Sequence, residues 1–309
     1  MFPRLAVLAA LLAILLAACS GDDEDEGGAG SQVRATTTLT VFEDIVGEIG
    51  GDRVAVSALL PSGADPHTYE PVPRDVRLVT EADVLFVNGL GLEEGVLRVI
   101  EPNLPSGVPM IELAEEATEA GITLREFGEG EGDAQGDVNP HVWLSVDNIR
   151  EYARVISAAL SQVDPEGAAQ YDENFQSYLI RLDELDEYVR DKVAEVPPKQ
   201  RKIVSTHDAF GYMADYMGFE VAGVVAISPG QEPSASDVAE LQDKIEEAGV
   251  AAVFQEPQLG AEASVLRQAA SDLGIEVCTL RSDALDDRVP TYIDLMRFNA
   301  DELARCLTE

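Results

Sequence analysis

One stretch limits the folds open to this chain more than any other. Between Asp164 and Val196, Phe175, Tyr178, Leu182, Leu185, Val189, Val193 and Val196 fall on a single helical stripe, and Pro197-Pro198 ends it. About 32 residues at ~1.5 Å each predict a helix of roughly 48 Å, longer than one small domain is wide. Asp164 followed by Pro165 reads as its N-cap and first turn. On both sides of it, short apolar runs alternate with helical segments. Upstream the strands are read at 36–42, 54–60, 84–87 and 109–113, with helices at 44–49, 74–81, 93–100 and 147–163. Downstream the strands are 202–206, 221–226, 250–254 and 275–280. The helices there are 208–217, 234–248 with Ser234 as cap, 263–273 and 290–307. Such alternation implies crossover units around parallel sheets. The expected fold is α/β: two similar lobes with parallel-rich sheets flanked by helices (33–163 and 199–309), joined by one long rigid helix (164–198).

The residues ahead of this body read differently. Arg4, an apolar run from 5 to 16 and Leu16-Ala-Ala-Cys19 form a signal peptide with a lipobox. Cys19 is then the lipid-bearing first residue of an anchored, extracytoplasmic protein. About twelve apolar residues fall short of the roughly 20 that a membrane span needs. Residues 20–32 are Ser, Gly, Asp and Glu with almost nothing apolar, which predicts a disordered acidic tether.

Charge narrows the partners. The chain carries a net charge of −37, and without Arg4 and the acids of 22–26 there remain 53 acids against 20 bases. Such a body repels nucleic acid. Part of the excess sits in 126–137, five acids and four glycines with one Phe, read as a solvated insertion with cation capture as the alternative. Besides Cys19 there are Cys278 and Cys306. In an exported chain two cysteines often pair. A Cys278–Cys306 bridge would staple the last helix to a strand; two separate buried thiols are the other reading.

The chain has three histidines. His67 lies in Pro61-Ser-Gly-Ala-Asp-Pro-His-Thr-Tyr-Glu-Pro71, a turn-rich loop after a strand, whose prolines would hold the imidazole in place. His141 sits in Asn139-Pro-His-Val-Trp-Leu144, and His207 directly follows a strand. In open parallel sheets, ligands bind beyond the carboxyl ends of the strands. Asp283, after the run 275–280, completes a candidate set of three imidazoles and one carboxylate, two from each lobe. Glu256 is the alternative acid, or a residue that supports the set, and Asp286 and Asp287 lie close by. Three nitrogens and one oxygen suit a tetrahedral Zn²⁺ shell.

These motifs, with Ser205-Thr-His-Asp-Ala-Phe-Gly-Tyr212 and Phe254-Gln-Glu-Pro-Gln258, resemble those of the zinc/manganese-binding lipoproteins of ABC importers, the cluster 9 solute-binding proteins. The resemblance runs from about 36 to 307. It implies two lobes on a rigid helix, one ion in the cleft, and delivery to an ABC permease by a monomer. Carried over, His67, His141 and His207 match the first three ligand positions and Asp283 the fourth. Members that import manganese commonly have Glu at the third position, where this chain has His207, so Zn²⁺ is expected ahead of Mn²⁺. The chain departs from the pattern in three places. The loop 126–137 lacks the histidines frequent in zinc-specific relatives, Asn139 and Ser145 stand where Asp is frequent, and the region after Asp283 is less typical.

The expected action is capture, not catalysis, with affinity falling as pH drops through the imidazole range and only small lobe movement. An exported zinc hydrolase is the rival, but it would need an open coordination position and a base, and no His-Glu-x-x-His pattern occurs. A metal-stabilised surface adhesin is the third reading.

Overall fold

The computed structural model describes residues 32–127, 138–226 and 235–308. The signal peptide with Cys19, the tether, most of the acidic loop and the Ser234 cap lie outside the described residues. Val33–Glu309 forms one compact unit.

Two four-stranded sheets carry the fold, and every pairing in them is parallel. The first holds β1 (Val33–Thr37), β2 (Val54–Ala58), β3 (Val84–Val87) and β4 (Met110–Glu112), in the order β2-β1-β3-β4. The second holds β5 (Lys202–His207), β6 (Glu220–Ala226), β7 (Ala252–Gln255) and β8 (Glu276–Thr279), in the order β6-β5-β7-β8. The two orders are the same: the first strand is central, flanked by the second and third. Strands covered on both faces must be apolar throughout, as Val84-Leu-Phe-Val87, wholly buried, is.

The helices of the first half are α1 (Thr40–Gly50), α2 (Pro73–Glu81), α3 (Glu94–Ile100), α4 (Leu113–Glu119) and α5 (Val146–Val163). The long helix is α6 (Ala168–Glu195), followed by α7 (Gly211–Met217), α8 (Ala235–Ala248), α9 (Gly260–Leu273) and α10 (Tyr292–Leu307). α6 packs against α1 and α5 from one half and against α7 and α10 from the other. One apolar core runs from Val33 through Tyr178 and Phe254 to Leu307, so the halves share packing instead of touching across solvent. A smaller cluster, Val204, Leu241, Ile245, Val253 and Leu266, seals α8 and α9 onto the second sheet. A shared core is what small relative movement requires.

The sequence reading errs at three boundaries. Val41 and Phe42 belong to α1, not to the first strand. With Ile45, Val46 and Ile49 they make a fully buried stripe at helical spacing, and the β-branched run ahead of them hides the change of period. Leu113 opens α4, which the sequence reading lacks altogether; its acidic face, Glu115, Glu116 and Glu119, hides a one-sided core of Leu113, Ala114 and Ala117. Asp164 caps only the turn ahead of α6, its Oδ1 accepting from the Gly167 N–H at 3.3 Å. Its carboxylate accepts from the Arg53 guanidinium at 2.8 and 3.0 Å and from the Tyr171 hydroxyl at 2.7 Å. The helix itself starts at Ala168, with Gly167 at its N-cap, and its 28 residues span roughly 42 Å. Cys278 on β8 and Cys306 on α10 are joined as a disulfide, with Cα atoms 6.7 Å apart.

Candidate metal site

Each sheet delivers chain to the same place. After β2 the backbone enters the Pro-rich loop of His67. Asp65 sets that loop, accepting from the His67 backbone N–H at 3.0 Å and the Thr68 hydroxyl at 2.6 Å. Its far end is held by buried Asp75, which accepts from the Tyr69 hydroxyl and the Val72 N–H, both at 2.8 Å. On the other side, Ser62 Oγ donates to the Leu285 carbonyl, and the Leu285 N–H donates to Thr40 Oγ1 at 2.8 Å. These bonds tie the His67 loop and α1 to the segment just past Asp283.

His141 precedes a single 3₁₀ turn of Val142, Trp143 and Leu144, all fully buried. The Trp143 indole N–H donates to the Ser282 carbonyl at 2.9 Å, and the Tyr292 hydroxyl to the Trp143 carbonyl at 3.0 Å. His207 is the last residue of β5 rather than the residue after it. Its Nδ1 lies 2.7 Å from Glu256 Oε1, directly beyond β7. Thr206 Oγ1 donates to the same Oε1 and Ser282 Oγ to Oε2, each at 2.6 Å.

The three imidazoles converge through one atom each. His141 Nε2 is 3.3 Å from His67 Nε2 and 3.2 Å from His207 Nε2. Asp283 Oδ1 stands 3.7 Å from His141 Nε2 and has no hydrogen-bond partner, while its Oδ2 accepts from Gln258 Nε2 at 3.1 Å. Within two overlapping triplets, His67 with His141 and His207, and His207 with Glu256 and Asp283, candidate ligand atoms lie within 4.8 Å of one another. All four predicted ligands thus meet. Glu256 faces the Nδ1 side of His207, and Asp286 is engaged by Arg281 at 2.8 Å.

The electrostatics divide the rings. Burial pushes His141 well below the ordinary imidazole value, and the neighbouring His207 and His67 push the same way. Burial would lower His207 too, but the Glu256 carboxylate outweighs it and holds the ring at about 9. Burial raises Asp283 to about 7 against the pull of His207. Sequence reasoning gave no role to Gln258, Ser282 and Thr206, although Thr206 and Ser282 adjoin named ligands and Gln258 lies two residues past Glu256.

The sequence and the fold are similar to those of known proteins. The family described as zinc-uptake complex component A, periplasmic, matches residues 36–306. The manganese-binding lipoprotein MntA of Halalkalibacterium halodurans is 31% identical over 303 residues, 97% of this chain and 96% of that protein. The manganese ABC transporter substrate-binding lipoprotein PsaA of Streptococcus pneumoniae is 27% identical at the same coverage. The periplasmic zinc binding protein TroA of Treponema pallidum superposes with a TM-score of 0.80 at 28% identity, over 90% of this chain and 100% of that one.

Proposed function

The chain belongs to the family of zinc-uptake complex component A, the substrate-binding proteins of metal ABC importers, and we propose that His67, His141, His207 and Asp283 hold its ion. The observation that carries this is the approach of His67 Nε2 and His207 Nε2 to His141 Nε2, at 3.3 and 3.2 Å. His207 turns its Nδ1 to a carboxylate, which can only accept, so that nitrogen carries a proton and Nε2 looks inward. Imidazole nitrogens that close repel unless a proton or a metal ion stands between them, and a cluster poised this way can exchange one for the other. Ligands about 2.0–2.1 Å from a tetrahedral ion are about 3.3–3.4 Å apart, close to the spacing found. Asp283 Oδ1, buried and without a hydrogen-bond partner, supplies the fourth donor.

Three nitrogens with one carboxylate oxygen favour Zn²⁺ as the cargo. The manganese-binding names of the relatives favour Mn²⁺, and one experiment separates the two. Four protein ligands close the shell and leave no position for an attacking water, so the site captures and does not catalyse. The protein acts outside the cytoplasmic membrane as a monomer anchored through lipid on Cys19, and hands the ion to an ABC permease. Purified protein stripped of metal is titrated with Zn²⁺ and with Mn²⁺, as wild type and as His207→Ala. Tight Zn²⁺ binding that His207→Ala abolishes is expected. Preference for Mn²⁺ would overturn the choice of metal, and binding of neither ion the site.

A further inference from the structure

Asn139, two residues before His141, is fully buried and works in two directions. Its Nδ2 donates to the Asp208 carbonyl at 2.7 Å, in the other half of the molecule and next to His207. A carbonyl oxygen only accepts, so this end of the side chain is the nitrogen. At the opposite end Oδ1 accepts from the His141 backbone N–H at 3.0 Å, a group that only donates. The amide orientation is therefore fixed twice over, by independent partners.

That same Oδ1 is 2.9 Å from His141 Nδ1. An amide oxygen carries no hydrogen, so Nδ1 must supply it. The neutral His141 ring then has its lone pair on Nε2, the atom that faces His67, His207 and Asp283. The backbone around the amide is also held: the Asn139 N–H donates to the Arg125 carbonyl at 2.9 Å, and its carbonyl accepts from the Tyr212 hydroxyl at 3.0 Å. With the backbone held, the side chain cannot swing away without breaking its own bonds to Asp208 and His141.

We propose that Asn139 is a positioning residue with two jobs: its oxygen sets the His141 tautomer, and its nitrogen ties that ligand to the strand end that bears His207. The proposal rests on the metal-binding reading above. Only an amide can do both jobs. A carboxylate at 139 would still accept from Nδ1, but its second oxygen would face the Asp208 carbonyl, two acceptors without a hydrogen between them. An apolar side chain would do neither. The substitution Asn139→Asp therefore separates the jobs, and Asn139→Ala removes both.

The tautomer is read by ¹⁵N NMR of the metal-free protein, where the two ring nitrogens of His141 resonate differently when protonated and when not. Zn²⁺ release is followed by stopped-flow mixing with a chelator. Wild type is expected to show the Nδ1–H form. Asn139→Ala is expected to lose that preference and to bind Zn²⁺ about 10–100-fold more weakly. Asn139→Asp is expected to keep the tautomer yet release Zn²⁺ at least about tenfold faster. A wild-type His141 protonated at Nε2, or wild-type binding in Asn139→Ala, overturns the proposal. Should Asn139→Ala fail to fold, wild-type release from Asn139→Asp overturns the tie between the halves. Wild type that binds no ion would instead refute the metal reading, with the tautomer still deciding the role of Asn139.

Discussion

Replacing Glu256 with Gln tests the site through a residue proposed to touch no metal. Glu256 is 1% exposed, and its carboxylate accepts from His207, Thr206 and Ser282 at 2.6–2.7 Å. A glutamine keeps Oε1 for His207 and Thr206 and presents Nε2 to the Ser282 oxygen, whose hydroxyl can turn. Shape is conserved, and besides the charge only the long 3.4 Å hydrogen bond from Gln258 Nε2 is lost. The carboxylate lies about 7 Å from an ion on His207 Nε2, from a metal–nitrogen bond of about 2 Å, the width of the ring and the hydrogen bond. The ion brings two positive charges, but with His207 held at about 9 it displaces one proton. Glu256 therefore favours the bound state through one net charge. At an effective dielectric of ~20 this is worth about 2.4 kcal/mol, or about 60-fold in affinity. Partners that orient metal-bound histidines are typically worth about 10–100-fold, which brackets the figure. Competition with a chromophoric chelator at pH 7.5 measures it, with circular dichroism to show that the variant is folded. A folded Glu256→Gln that binds within twofold of wild type would sink the reasoning.

Two more outcomes are expected away from the ligands. Burial, then the nearby charges of Glu48 and Asp294, raise the Asp44 carboxyl from 3.8 to about 6 against the Tyr292 N–H that it accepts at 2.8 Å. A folded value above the unfolded one means stability fully present below about pH 4 and lost as pH rises through about 6, roughly 3 kcal/mol in all. The amide oxygen introduced by Asp44→Asn still accepts from the Tyr292 N–H, so urea unfolding should find the variant more stable at pH 7.5 and equal to wild type near pH 4. An equal difference at both pH values would contradict this. Opening the Cys278–Cys306 bridge, which closes 28 residues, should cost roughly 3–4 kcal/mol, read as a lower denaturant midpoint on reduction. A midpoint indifferent to reductant would refute it.

Much of this molecule is legible in its sequence, for identifiable reasons. Buried parallel strands must be apolar on both faces, so runs such as 84–87 announce themselves without any partner. Three histidines in a chain of this length, each at a strand end or in a proline-set turn, point to one site because nothing else needs them there. What escapes is whatever depends on a partner distant in sequence. Asp164 does accept from the Gly167 N–H, but Arg53, 111 positions away, shares its carboxylate. α4 carries three glutamates in seven residues, and only packing makes its three apolar residues a face. Asn139 looks like a turn residue before a proline until the Asp208 carbonyl appears beside it.

The partners behind the rings explain why chemically identical ligands are not equivalent. His141 leans on a neutral amide and His207 on a carboxylate. Both arrangements put a proton on Nδ1 and turn Nε2 inward, so geometry alone would make the rings alike. Charge separates them. Burial with no anion behind it keeps His141 neutral, whereas Glu256 overcomes burial and keeps a proton on His207 at neutral pH. The metal-free protein thus has one donor and one acceptor where the two Nε2 atoms meet at 3.2 Å, a hydrogen bond in place of a repulsion. At the proposed site a divalent ion would replace that proton and find two carboxylates, Asp283 and Glu256, to balance its charge. Moving the carboxylate from His207 to His141 would exchange the roles of the two rings and leave the ligand set unchanged. The ligands fix where the ion binds, and the groups behind them fix what it must displace.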